Sequence, residues 1–148
     1  MKADPGIVVR LARAWVGTPY RHQASCRGAG ADCLGLVRGV WRELHGREPE
    51  PVPAYAPDWS EPQGEERLWA AAARHLITLG PGAPQGGDVV LLRMRAGAVA
   101  KHLGIVTEAG HGARFVHAYS GHGVVESPLS GPWARRIVAR FAYPGEVG

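Results

Sequence analysis

A cysteine placed just after an aspartate at the start of a helical stripe, and two histidines in apolar strand-like runs, have the most chemistry to offer in this sequence. Cys33 follows Asp32 and a glycine-rich stretch, Arg27-Gly28-Ala29-Gly30. Leu34, Val37, Trp41 and Leu44 then recur at helical spacing until Gly46. This pattern predicts a helix with Asp32 as its N-cap and Cys33 in its first turn. A thiol there meets unpaired backbone N–H groups and the positive end of the helix dipole, which favours the nucleophilic thiolate. The Cys33 backbone N–H is also placed to stabilise an oxyanion. Gly35 and Gly39 leave room for another backbone or a substrate to come close. A cysteine nucleophile needs a base within hydrogen-bond reach and a third group to orient that base. His102 opens the run Lys101-His102-Leu103-Gly104-Ile105-Val106, and His117 lies within Phe115-Val116-His117-Ala118-Tyr119. Alternation puts His117 on the face of Phe115 and Tyr119, partly buried, where a hydrogen-bonding task is expected. Cys33, His102 and His117 therefore supply a nucleophile, a base and an orienting group.

Other readings stay open at this level. Cys33 can be a small buried core residue, as most free cysteines are. Cys26, Cys33, His102 and His117 can be combined into a Cys₂His₂ zinc site, although the six residues between the cysteines and fourteen between the histidines exceed the usual spacings. A Cys26–Cys33 disulfide would silence the nucleophile, and a reducing compartment disfavours it. The remaining histidines, His22, His45, His75, His111 and His122, read as structural or solvated. Gly28-Ala29-Gly30 lacks the phosphate-loop pattern and a preceding strand, so no cofactor is expected.

The elements that must position these residues can be sketched from periodicity. Ile7, Leu11, Ala14 and Trp15 predict a first helix, ended by Gly17-Thr18-Pro19. Leu68 to Leu79 predicts a third, stopped by Gly80-Pro81. Beyond Gly86-Gly87 the period changes, and five short strands are predicted: Asp88 to Met94, His102 to Thr107, Arg114 to Ser120, Gly123 to Glu126 and Arg136 to Tyr143. Helices first and strands afterwards indicate an α+β fold, with an antiparallel sheet because the connections are too short for crossovers. Between Glu48 and Pro62 lie five prolines and no periodicity, which reads as an acidic surface insertion in a single domain spanning 1–148.

Composition excludes several classes. The chain has 148 residues, 45% hydrophobic and 20% charged, which excludes global disorder. Its 21 glycines and 12 prolines argue against a long-helix bundle. No apolar stretch approaches the ~18 residues that span a bilayer. Asp4, Pro5, Arg10 and Arg13 break any signal-peptide core, so synthesis in the cytoplasm is expected. The segment from Glu43 to Glu66 carries −6, leaving +10 on the remainder of a chain of net charge +4. A basic body suits a polyanionic partner, but the bases are scattered and no nucleic-acid motif is present, so no nucleic-acid partner is expected.

Five segments in order then become familiar: Trp15-Val16-Gly17-Thr18-Pro19-Tyr20, Asp32-Cys33-Leu34-Gly35-Leu36-Val37, Gly87-Asp88-Val89-Val90, His102-Leu103-Gly104-Ile105-Val106 and Phe115-Val116-His117-Ala118. The sequence resembles the NlpC-type, papain-like cysteine peptidases that cleave peptidoglycan, in the variant found among tail genes of phages and gene transfer agents. The resemblance implies a papain-like core with N-terminal helices on an antiparallel sheet of about five to six strands. It implies cleavage of peptidoglycan stem peptides, typically at the D-glutamyl–diamino acid bond. Cys33 matches the family nucleophile, His102 its base, His117 its orienting residue, and Tyr20 a tyrosine near the nucleophile. Tyr20, Asp32 and Cys33 are thereby candidates for substrate and oxyanion binding. Tail or particle proteins are implied as partners, and delivery to the cell wall within a tail particle as the route.

The sequence departs from the family pattern in three places. Leu34 stands where members often carry a serine that helps bind the substrate's free amine. Arg21-His22-Gln23-Ala24-Ser25 replaces a Gly-Gly pair, and the acidic insertion from Glu48 to Pro62 is an addition. A catalytically silent wall-binding module and a cysteine-dependent amidase or acyltransferase remain as alternatives on the same fold.

Overall fold

Asp4 accepts a hydrogen bond from the Gly6 N–H at 2.8 Å and Pro5 fills the first turn, so α1 begins at Pro5 and runs to Arg13. The structure, a computed structural model, describes residues 1–49, Tyr55 and 64–145. The chain continues through a two-stranded ribbon, β1 (Ser25–Cys26) against β2 (Gly30–Ala31), which flanks the glycine-rich stretch. Helix α2 (Cys33–His45) follows, capped by Asp32 and closed by Gly46 at φ 85°, a left-handed position that glycine adopts without strain. Its start and stop match the sequence pattern within a residue.

The third predicted helix is shorter than expected. Helix α3 covers Arg67–His75, and Ile77–Thr78 forms β3 instead of continuing the helix. Leu76 already has extended backbone angles, and the β-branched pair that follows takes up the free edge beside Phe141 and Ala142. The later strands follow the period-2 pattern: β4 (Val89–Arg93), β5 (Ala100–Glu108), β6 (Arg114–Tyr119), β7 (Gly123–Pro128) and β8 (Ile137–Ala142). A one-turn helix, α4 (Gly131–Ala134), interrupts the return from β7 to β8 and had no signature in the sequence.

The six strands of the main sheet are ordered β3-β8-β4-β5-β6-β7, every pair antiparallel. The fold is α+β, as expected. One apolar cluster lies between the sheet and the helices, joining Val8, Trp15, Leu36 and Val40 to Leu91, Leu103, Ile105 and Val116. A second, on the other face, joins Val90, Leu92, Val106 and Phe115 to Leu129, with Trp133 packed against it. Strand β5 is central. It bulges at its start, where Leu92 pairs with His102 but Arg93 pairs with Ala100, leaving Lys101 as the extra residue. Among the described residues no helix is long and apolar enough to cross a membrane. Of the acidic insertion, Glu48, Pro49 and Tyr55 are described; the remainder lies outside the described residues.

Candidate active site

The first turn of α2 is locked from below by Asp32. Its Oδ1 accepts the Gly35 N–H at 2.7 Å, and its Oδ2 accepts the Gln23 N–H at 2.7 Å and the hydroxyl of Tyr55. His22 Nδ1 lies 3.7 Å from the same Oδ2, and His22 Nε2 lies 2.9 Å from the Tyr55 carbonyl. Asp32 is 3% exposed, so this carboxylate is committed to organising the loop around the nucleophile helix. Gly35 has a specific cause: a Cβ there would sit 1.8 Å from the Ala24 carbonyl oxygen. The expectation of a close backbone approach holds at Gly35, where the 21–25 loop lies on the helix. At Gly39 the neighbour is instead the Trp15 ring, which would stand 2.0 Å from any Cβ added there.

Cys33 is the first residue of α2 and is 8% exposed. Its Sγ–H donates to the Lys101 carbonyl at 3.7 Å, at the bulge that immediately precedes His102. The thiol therefore lies against the start of β5, and in this state it bonds to a carbonyl rather than to an imidazole. The helix position was expected to favour the thiolate; the amides at the helix start act in that direction, and burial opposes them. Burial, joined by the nearby Asp32 charge, pushes the Cys33 thiol up to about 12, against the opposing pull of the Leu103, Leu34 and Cys33 amides. Three amides do not replace the water that a thiolate loses. Tyr20 is bridged to Ala31 and lies close enough to feel both Cys33 and Asp32; burial first, then those two charges, raises its hydroxyl above the usual range.

His102 and His117 come together. His102 Nε2 lies 2.8 Å from His117 Nδ1, with the rings at 81°. His117 Nε2 lies 3.0 Å from Ser127 Oγ. His117 was expected to be partly buried and is completely so, stacked on Phe115 at 4.1 Å and on Tyr119 at 5.7 Å. Burial, followed by His117 and Arg136, takes His102 down to about 3; burial, followed by His122, takes His117 down to about 4. Both imidazoles are thus neutral at physiological pH. Neutral rings in this chain have one consistent tautomer set for a base: His102 Nε2–H donates to His117 Nδ1, His117 Nε2–H donates to Ser127, and His102 Nδ1 keeps its lone pair.

Three participants were not singled out from the sequence. Ser127 lies opposite Phe115 on β7, one residue past the predicted strand end, and reaches His117 diagonally. Trp133 packs on both imidazoles from α4. Tyr55 comes from a segment read as surface, and its hydroxyl reaches Asp32; no periodicity pointed to it. Cys26 is a free, exposed cysteine and Cys33 a free, buried one, so no disulfide joins them. Among the described residues, no group of three or more His, Cys, Asp or Glu side chains is arranged to hold a metal ion, and the zinc combination of Cys26, Cys33, His102 and His117 does not assemble.

The NlpC/P60 family model matches residues 17–141, which include every residue of this arrangement. The chain belongs to the NlpC/P60 family. Solved structures agree on the fold. An NlpC/P60 family protein from Bacillus cereus ATCC 10987 superimposes with a TM-score of 0.64 at 17% identity, covering 97% of this chain and 41% of that one. The NlpC/P60 domain of the peptidoglycan hydrolase SagA gives 0.61 at 18% identity, covering 95% and 99%. A lipoprotein-like member from Staphylococcus aureus subsp. aureus Mu50 gives 0.60 at 20% identity, covering 97% and 43%. This NlpC/P60 chain thus spans less than half the length of two of these relatives and nearly all of the SagA domain. No curated protein sequence matches it.

Proposed function

We propose that this NlpC/P60 chain is a cysteine endopeptidase acting on peptidoglycan stem peptides, at the bond between D-glutamate and a diamino acid. The observation that carries the reading is the 2.8 Å His102–His117 contact beside a cysteine whose Sγ touches the carbonyl of the preceding residue, Lys101. The contact commits His102 Nε2 and leaves Nδ1 as the base. Cysteine hydrolases are often loosely aligned without substrate and tighten in the Michaelis complex. In the reaction, Cys33 turns from the Lys101 carbonyl and gives its proton to His102 Nδ1 as sulfur attacks the scissile carbonyl. The Cys33 backbone N–H, in the first turn of α2 where amides lack an intrahelical partner, stabilises the oxyanion. The imidazolium, held by His117, protonates the leaving amine. Water, deprotonated by His102, then hydrolyses the thioester and restores the thiol. Tyr20 borders this thiol and is the candidate substrate contact, while Asp32 acts by holding the helix start. The family membership and the naming of SagA as a peptidoglycan hydrolase support the substrate class.

The test is mass spectrometry of purified muropeptides incubated with the protein and with Cys33→Ala. Cleavage by the first alone supports the reading and identifies the bond; cleavage by both, or by neither, overturns it. A second part of the proposal is delivery within a phage-like tail particle after synthesis in the cytoplasm. The resemblance to the variant found among phage tail genes is what supports it, and absence of the chain from purified particles of its source would overturn it.

A further inference from the structure

The aromatic ring of Trp133 lies at the centre of the groups that surround the two imidazoles. It stacks on His102 at 5.6 Å and 28°, and meets His117 edge-on at 4.9 Å and 78°. It also contacts Phe115 at 5.6 Å and 63°, and Tyr119 at 5.5 Å and 84°. The Arg136 guanidinium carbon sits 5.3 Å from the same ring. Beneath it, Phe115, His117 and Tyr119 stack in a row along β6, and Phe115 also covers Gly104, where a Cβ would come within 2.5 Å of its ring.

We infer that Trp133, with Arg136 laid on it, is a positioning residue: a roof that fixes the ring planes of His102 and His117 and keeps water from their nitrogens. Its purpose in turnover rests on the cysteine-hydrolase reading, but its action on the imidazoles does not. The physical argument starts from exposure. His102 is only 6% exposed although it stands at the start of a strand, and Trp133 is the large ring stacked on it. A water molecule in that place would hydrogen-bond to His102 and support the wrong tautomer or the charged form. The stacked indole presents its face to His102, and its one polar group, the ring N–H, can donate but cannot accept a hydrogen bond. Arg136 adds a cation that opposes a positive charge on His102. It is held there by the electron-rich ring. The roof thus keeps the base neutral until it receives the thiol proton, and the two-ring contact holds His102 Nε2 on His117.

Among the described residues, the charged and titratable groups that face this pair are few. Tyr119 lies beside both rings on β6, the His122 charge acts on His117 from the β6–β7 turn, and the Arg136 charge acts on His102 from the segment before β8. None of these three is a carboxylate, so removing the roof exposes the imidazoles to water without giving them a compensating anion.

The experiment is an NMR titration of the ring nitrogens of His102 and His117 in the Cys33→Ala protein, which needs no substrate. Trp133→Ala is expected to raise the His102 midpoint by about one unit or more, a tenfold gain in proton affinity, and to mix its tautomers. Trp133→Phe should keep most of the wild-type behaviour, and Arg136→Gln should raise the midpoint while preserving the tautomer. Unchanged midpoints and tautomers in folded Trp133→Ala overturn the inference. If Trp133→Ala does not fold, Arg136→Gln decides, and an unmoved His102 midpoint there overturns it. Cleavage of no muropeptide together with these shifts would sink the hydrolase reading and leave the roof standing.

Discussion

His102 Nε2 and His117 Nδ1 are 2.8 Å apart on adjacent strands, and this contact decides which nitrogen of His102 can act as a base. Because His117 Nε2 has its own partner in Ser127, a proton on each Nε2 satisfies both rings at once. The lone pair left on His102 Nδ1 is the one that can receive a proton from Cys33. Under the proposed reading, the arrangement would work through tautomer control of neutral rings, because burial opposes charge on both imidazoles and on the thiol.

Removing the base should cost more than removing the group that orients it. His102→Ala is expected to abolish muropeptide cleavage. His117→Ala should lower kcat by about 10²–10⁴-fold, the usual scale for an acid–base contribution. His117→Asn, which can still accept from His102 Nε2–H, should recover part of that loss. Steady-state kinetics with purified muropeptides provide the check, and a His117→Ala protein slower than His102→Ala would reverse the assignment.

The thiol's state gives a second expectation that needs no substrate. Cys26 is exposed, whereas Cys33 is buried, with its thiol pushed up to about 12. At pH 7.5 iodoacetamide should modify Cys26 first, and Cys33 at least ~10-fold more slowly, because only the thiolate reacts. Time-resolved peptide mass spectrometry separates the two sites. Faster alkylation at Cys33 would mean that a thiolate is already present in the resting protein.

How far the sequence disclosed this site depends on the range of each interaction. Cys33 at a helix start and His117 on the face of Phe115 follow from local periodicity, and both are found there. The strands were legible because alternation is local, and the α+β class followed from their order. The thiolate expectation counted the helix start, a local property, and not burial, a tertiary one that opposes it. Periodicity carries no information about how tightly β5 closes over the thiol. Trp133 and Tyr55 were invisible for a related reason: one sits on a four-residue helix and the other in a proline-rich segment, and each is brought to the site by the path of the chain. The β3 strand was misread because Ile77 and Thr78 continue an apolar stripe, and only the open edge of β8 draws them out of the helix.

Packing of the loop on the nucleophile helix predicts a strong response at Gly35. Alanine is the better helix former by about 1 kcal/mol. Yet its Cβ would lie 1.8 Å from a backbone carbonyl at Ala24, which cannot move without disturbing the Gln23–Asp32 hydrogen bond. Overpacking of this kind costs about 1–3 kcal/mol or more, so the clash wins. Gly35→Ala is expected to lower Tm by several degrees and to reduce activity more than Tm alone explains. A stabilised Gly35→Ala protein in thermal unfolding would show that the loop yields freely.

Acid stability follows from the two buried imidazoles, and the sign can be worked out. An unfolded histidine titrates near 6.5, while His102 and His117 are held at about 3 and about 4 in the fold. Between these values the unfolded chain binds protons that the native protein refuses, so stability rises with pH through the window and falls as pH drops from 6.5. The contribution is fully present above pH 6.5. Glu48, held below the usual carboxylate range by Arg38 and Arg42 against burial, and Glu126, held there by the Thr107 hydroxyl, Arg13 and Arg114 against burial, act only at lower pH. Between pH 6.5 and 4.5 the imidazoles therefore govern the slope, with a loss on the order of 2–3 kcal/mol each. Urea unfolding at pH 7 and pH 4.5 measures it. The His102→Gln/His117→Gln protein should show a much flatter dependence over that interval, since neither replacement titrates. An equally steep loss in the double variant would assign the acid sensitivity to groups other than this pair.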